Sequence, residues 1–188
     1  MIKVKYSRYD LINKEILALE ERGFMNRVIN FLLKDRRLVF QISVSNDLYQ
    51  RAEILCDDIV QKRSEDKQYT QSELVEHVFL DFIDEVRNND SNVGSIYTRL
   101  NVRKQQLPMV NDNPLLPSKS NTTVITKIER DDVLRAEVLL QDLSYFVPEH
   151  GIDVEQLIEI VYLDFLLEYS KGRRKNVIKD ILEYLEGY

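Results

Sequence analysis

Apolar residues along this chain recur with two different periods, and the points where one gives way to the other mark out its elements. Residues 8 to 22, RYDLINKEILALEER, set Leu11, Ile12, Ile16 and Leu19 at helical spacing, and Gly23 ends or bends that helix. FMNRVINFLLK (24–34) predicts a second short helix with Phe24, Val28, Phe31 and Leu32 as its stripe. The period then drops to two. LVFQISVS (38–45) alternates Phe40, Ile42 and Val44 against Val39, Gln41 and Ser43, as a half-buried strand does. Asn46 and Asp47 are helix N-cap types, and Leu48, Ala52, Leu55 and Ile59 carry a helix to about Val60. After the polar run QKRSEDKQ, the letters TQSE at Thr70 form a capping box that opens a helix running to about Asn88.

The same order then returns. TVITKIE (123–129) reads as strand, RDDVLRAEVLLQDLSYF as helix and DVEQLIEIVYLDFLLEY, opening at Asp153, as helix. ELVEHVFLDFIDE (73–85) and QLIEIVYLDFLLE (156–168) agree at seven positions, Leu74/Leu157, Glu76/Glu159, Val78/Val161, Leu80/Leu163, Asp81/Asp164, Phe82/Phe165 and Glu85/Glu168. RAEIL (51–55) is answered by RAEVL (135–139) at an offset of 135 − 51 = 84, and the later helix at 157 − 74 = 83. An ordered internal repeat results. Between the copies, residues 89–122 hold three of the four prolines and little periodicity, and read as a linker, partly extended or ordered by docking. A closing helix, NVIKDILEYLE, follows the basic turn KGRRK.

One strand-helix-helix unit is physically incomplete: its strand has no neighbour and its two helices cannot bury their apolar faces alone. Two units remedy both, with strands paired antiparallel and helices closing over the inner face of the ribbon. The order of elements, the three inward apolar residues of the strand and the polar cap before the next helix resemble the ribbon-helix-helix (Arc/MetJ/CopG-like) superfamily, over roughly residues 38–88 and 122–169. The expected fold class is therefore mainly α: two ribbon-helix-helix units (38–89 and 122–170) joined by a linker (90–121), with an N-terminal helical segment (1–37) and a C-terminal helix (171–188). Each strand can pair with its sister or with the same strand of another molecule, and the sequence leaves both open.

The resemblance implies duplex DNA binding, with the ribbon in the major groove and its outward side chains reading base edges. Those positions are Val39, Gln41 and Ser43 in the first copy and Thr123, Ile125 and Lys127 in the second, Gln41 being suited to adenine. The resemblance also implies a phosphate clamp at the N-terminus of the second helix of the unit, here Thr70, Gln71 and Ser72. Arg36 and Arg37, in KDRR, and the run TRLNVRK (98–104), read as a flexible arm, would follow the phosphate backbone.

Composition limits this picture. A formal charge of −6 is unusual for a dedicated nucleic-acid binder, and Asp153 and Glu155 stand where the second phosphate would sit. Val39 and Ile125 suit thymine methyls or a covering protein segment equally well. Asp81 and Asp164 share a repeat position but read as solvent-facing acids, and KGRRK as a solvated helix end. Cys56 is the lone cysteine and sits in a helix pattern, a packed thiol. The two histidines, His77 and His150, lack zinc spacing, and five glycines form no phosphate loop, so neither metal, cofactor nor catalytic residues are expected. No run of residues approaches a membrane span and the N-terminus lacks a secretory pattern, so the expected location is cytoplasmic. The expected partners are duplex DNA and further copies of the chain. The competing expectation is an acidic adaptor that uses the same fold to bind protein.

Overall fold

β1 (Arg37–Ser45) and β2 (Asn121–Glu129) pair antiparallel within the one chain, with Arg37 opposite Glu129, Val39 opposite Lys127, Gln41 opposite Ile125 and Ser43 opposite Thr123. The computed structural model describes residues 4–20, 36–63, 67–88, 93–111 and 120–187. Among them the two strands form the one sheet, and the remaining elements are seven helices. These are α1 (Leu11–Glu20), α2 (Asn46–Lys62) and α3 (Gln71–Asn88) around β1, α4 (Val93–Asn111) before β2, and then α5 (Arg130–Phe146), α6 (Val154–Ser170) and α7 (Val177–Glu186).

Alternation decides which face of the ribbon is buried. Leu38, Phe40, Ile42 and Val44 of β1 and Val124, Thr126 and Ile128 of β2 are all buried, while the residues between them are exposed. Thr126 places a hydroxyl in this core, satisfied by donating to the Ser72 carbonyl at 2.9 Å. Two short connections hold the ribbon ends. Arg130 N–H donates to the Arg36 carbonyl at 2.6 Å, and at the other end Asn46 binds Ser120 and Thr122 through its backbone and side chain.

α6 is largely apolar and central, with Leu157, Ile158 and every residue from Ile160 to Leu166 buried. It packs against β1, α2, α3, α4 and α5. Its start is fixed by Asp153, whose carboxylate accepts from Gln156 N–H at 2.8 Å. α3 opens with the expected capping box: Thr70 N–H donates to Glu73 Oε2 at 2.7 Å, and Glu73 N–H reaches back toward Thr70 Oγ1 at 3.4 Å. Cys56 is buried in α2, and burial pushes its thiol up to about 12, so it is a packing residue and not a thiolate at neutral pH.

Several expectations need correction. The stretch read as a linker carries α4, which lies on α5 and α6 with Ile96 and Leu100 buried. Among its described side chains that i, i+4 pair is the buried one, and Pro108 lies inside the helix, so its apolar signal is weak. The run TRLNVRK is thus helical, and no flexible arm. The first helix begins at Leu11 and not at residue 8, because Asp10 takes a left-handed conformation with φ 54°. Ser45, not Asn46 or Asp47, is the cap residue of α2, since the side chain of Asn46 is taken by the neighbouring strand. The helix expected at 24–34 lies outside the described residues, as do Lys34 and Asp35.

The internal repeat also extends one element further. α4 follows α3 and packs on α5 and α6 of the other half, while α7 follows α6 and packs on α2 of the first half. Their buried pairs, Ile96 with Leu100 and Val177 with Ile181, stand at one offset, 177 − 96 = 181 − 100 = 81. α7 also sets Tyr184 edge-on to the buried His77 of α3, with ring centres 4.5 Å apart.

Two outcomes follow. Phe40→Ala, which empties the inner face, is expected to cost about 3–5 kcal/mol in urea unfolding, and Val39→Ala on the outer face under about 1 kcal/mol. Burial holds His77 and His150 below the ordinary histidine value of 6.5, so the unfolded chain takes up those protons more readily. Their contribution to stability is complete above 6.5 and declines as the pH falls below it. Replacing His77 by Asn should flatten that decline, measured as unfolding free energy against pH.

Candidate nucleic-acid interface

The outer face of the ribbon bears two parallel rows: Arg37, Val39, Gln41 and Ser43 on β1, and Thr123, Ile125, Lys127 and Glu129 on β2. All eight residues are exposed. Gln41 lies at the centre, opposite Ile125, while Val39 and Ile125 are diagonal neighbours that leave 38% and 55% of their surface open. Ser43 is already tied into the ribbon, accepting from the Asn121 amide at 3.1 Å.

Charge on this face is largely neutralised from within. Arg37 donates to both carboxylate oxygens of Glu76 on α3 and to the Lys127 carbonyl, and lies 3.3 Å from Glu129. The Arg37 guanidinium offsets the burial that raises the Glu76 carboxyl above its usual range. Arg36 and Lys127 are exposed and make no ion pair among the described residues.

The ribbon is flanked by two helix N-termini, α3 against β2 and α6 against β1, and these differ. At α3, Thr70 is exposed but its N–H is taken by Glu73. Gln71 points inward, buried, donating to the Tyr49 carbonyl at 3.0 Å and to Glu53 while accepting from Tyr162 Oη at 3.1 Å. Ser72 is half-buried, with its carbonyl engaged by Thr126. Of the three expected clamp residues, Thr70 and Ser72 therefore remain at the surface, and Gln71 is a core bridge between the two halves.

At α6 the place of a phosphate is filled by the chain itself. Val154 N–H donates to the Tyr6 carbonyl at 2.7 Å, and the Arg8 guanidinium lies 3.4 Å from the Glu155 carboxylate. The same segment seals the free edge of β1. Tyr9 Oη donates to the Val39 carbonyl at 2.6 Å and accepts from Val39 N–H at 3.0 Å, and Arg8 donates to that carbonyl too. The guanidinium sits over the rings of Tyr9 and Phe40 at 5.2 and 5.4 Å. The strap is anchored by Glu137 of α5, buried, which accepts from Ser7 Oγ, Leu11 N–H at 3.0 Å and Ile12 N–H at 2.8 Å. Glu137 is the counterpart of Glu53 at the offset of 84, so the two RAE motifs both supply a carboxylate that fixes a helix start.

Arg8 and Tyr9 were not legible as interface residues, because nothing local in SRYD shows that it docks on a strand some 30 residues later. The basic run on α4 is committed elsewhere: Arg99 pairs with Glu85 at 2.7 Å, Arg103 with Asp164 at 3.0 Å, and Lys104 donates to the Gly151 carbonyl at 3.1 Å. This corrects the reading of Asp164 as solvent-facing; α4 covers it, whereas its repeat mate Asp81 is exposed. Groups of histidine, cysteine and carboxylate able to hold a metal do not occur among the described residues, and no described helix is long and apolar enough to cross a membrane.

Glu137→Gln should loosen the strap, at a cost of about 1–3 kcal/mol, because a buried charged acceptor of three hydrogen bonds is weakened. Hydrogen exchange at the Leu11 and Ile12 amides reads this directly: faster exchange is expected, and unchanged exchange would show that the strap is held otherwise.

No family model, no curated protein and no solved structure matches this chain.

Proposed function

We propose that this chain binds duplex DNA as two ribbon-helix-helix units in tandem, laying the outer face of its ribbon in the major groove and acting without chemistry. The role in view is a transcriptional repressor or an accessory factor of plasmid or phage replication, partition or transfer. The observation that carries the reading is the row Gln41, Ser43, Thr123 and Lys127, exposed on one face of a ribbon completed within one chain. Two strands about 4.8 Å apart, with their side chains, fit a groove about 12 Å wide. Gln41 can donate to and accept from one adenine, and Lys127 and Arg36 supply positive charge beside the row. The flank at α3 leaves Thr70 and Ser72 at the surface, with the N–H and hydroxyl of Thr70 both donating to Glu73, while the strap closes the flank at α6, so contact would be one-sided.

A second reading rests on Val39 and Ile125, whose diagonal contact makes an apolar spot on the same face. With most nearby arginines paired to carboxylates, a protein segment laid over that spot would make the chain an acidic adaptor.

Binding to random duplex is expected to weaken steeply with added salt, and Lys127→Ala to reduce the slope of log affinity against log salt by about one. Gln41→Ala is expected to cost about 1–3 kcal/mol on a preferred site and to relax sequence preference there. Absence of binding to duplex at low salt would remove this reading in favour of the adaptor.

A further inference from the structure

The repeated segment brings like residues together a second time, away from the ribbon. Val78 and Phe82 of α3 and Val161 and Phe165 of α6 wall a cavity of about 260 Å³, with Asp81, Glu85, Arg103 and Arg174 around it. Each of the four apolar walls keeps 4–5% of its surface open. Phe82 lies 82 − 72 = 10 residues beyond Ser72, whose carbonyl binds Thr126 of the ribbon, or about 15 Å along the helix.

Most of the surrounding charge is already paired. Arg99 holds Glu85 through two hydrogen bonds of 2.7 and 3.1 Å, and Arg103 holds Asp164 at 3.0 Å. Two groups are left over. Among the described residues, the one ion-pair contact of Asp81 is the His77 ring nitrogen at 3.5 Å. Arg174 lies with its guanidinium 4.9 Å from the centre of the Phe165 ring and makes no ion pair among the described residues. One spare carboxylate and one spare guanidinium thus line the same hollow, beside four apolar side chains. A purely anionic ligand would meet Asp81, Glu85 and Asp164, and a purely cationic one Arg103 and Arg174; a molecule carrying both charges meets neither repulsion.

We infer that this cavity binds a small zwitterion, an α-amino acid with an apolar side chain. Its ammonium donates to Asp81, its carboxylate accepts from the planar fork of Arg174, and its side chain lies against Val78, Phe82, Val161 and Phe165. The inference stands apart from the DNA reading, since it concerns another surface and needs no nucleic acid.

The test uses the full chain. Thermal unfolding is followed with the standard L-amino acids at about 10 mM each, where a bound ligand raises the melting temperature by mass action. Calorimetric titration then compares L-leucine and L-phenylalanine with isoamylamine and 4-methylpentanoate, which keep the side chain of leucine but only one charge. The expected result is stabilisation by apolar amino acids, weaker binding by about tenfold or more for either singly charged analogue, and a similar loss in Asp81→Asn and Arg174→Gln. Both side chains face solvent, so the unliganded variants are expected to melt as the parent does. The inference is overturned if no amino acid shifts the melting temperature, if the singly charged analogues bind as well, or if both variants bind as tightly as the parent.

Discussion

A β-strand standing alone offers a row of unpaired N–H and C=O groups on each edge and buries nothing, so nine residues of alternating pattern acquire a structure only when a second strand lies beside them. In this chain the second strand is its own repeat. Once Leu38, Phe40, Ile42 and Val44 lie next to Val124, Thr126 and Ile128, a continuous apolar face exists for α6 and the flanking helices to cover. The outer face then follows without further instruction, since every residue between the buried ones must point to solvent. The candidate interface is therefore a by-product of core formation.

Two copies of one unit do not make two equal halves. The first half leaves the start of α3 near the surface, its first donor occupied by Glu73, whereas the start of α6 is closed by residues 6–9. The unequal treatment traces to Glu155, which offers Arg8 a partner, and to the Val154 N–H, which donates to the Tyr6 carbonyl. The strap, in turn, covers the β1 edge of the ribbon at Val39.

Local chemistry that repeats over a few residues was legible: the alternation in both strands, the Thr70 capping box, the Asp153 cap and the buried stripe of α2 all take the forms their letters imply. What could not be read was decided by contacts between distant parts. Among its described side chains α4 buries Ile96 and Leu100, and with an internal proline it holds its place through Arg99, Arg103 and the surfaces of α5 and α6. Gln71 looks like a surface cap residue in TQSE but is drawn inward by Glu53 and Tyr162. Asp164 and Asp81 occupy one repeat position and differ because a helix covers only the first. Sequence periodicity reports which face is apolar, and cannot report what comes to lie on the other.

The most direct test of the intrachain ribbon is a cysteine pair at Gln41 and Ile125. Both groups of Val39 turn to Tyr9 and away from β2, so Val39 and, two residues on, Gln41 stand at non-hydrogen-bonded positions, where facing Cα atoms are about 4.5 Å apart and a disulfide fits. The native Cys56 is buried and does not compete. Mild oxidation of Gln41→Cys/Ile125→Cys is expected to give a disulfide within chains of monomer mass at every protein concentration. Disulfide-linked dimers that increase with concentration, or two cysteines that stay reduced, would contradict a ribbon made by one chain.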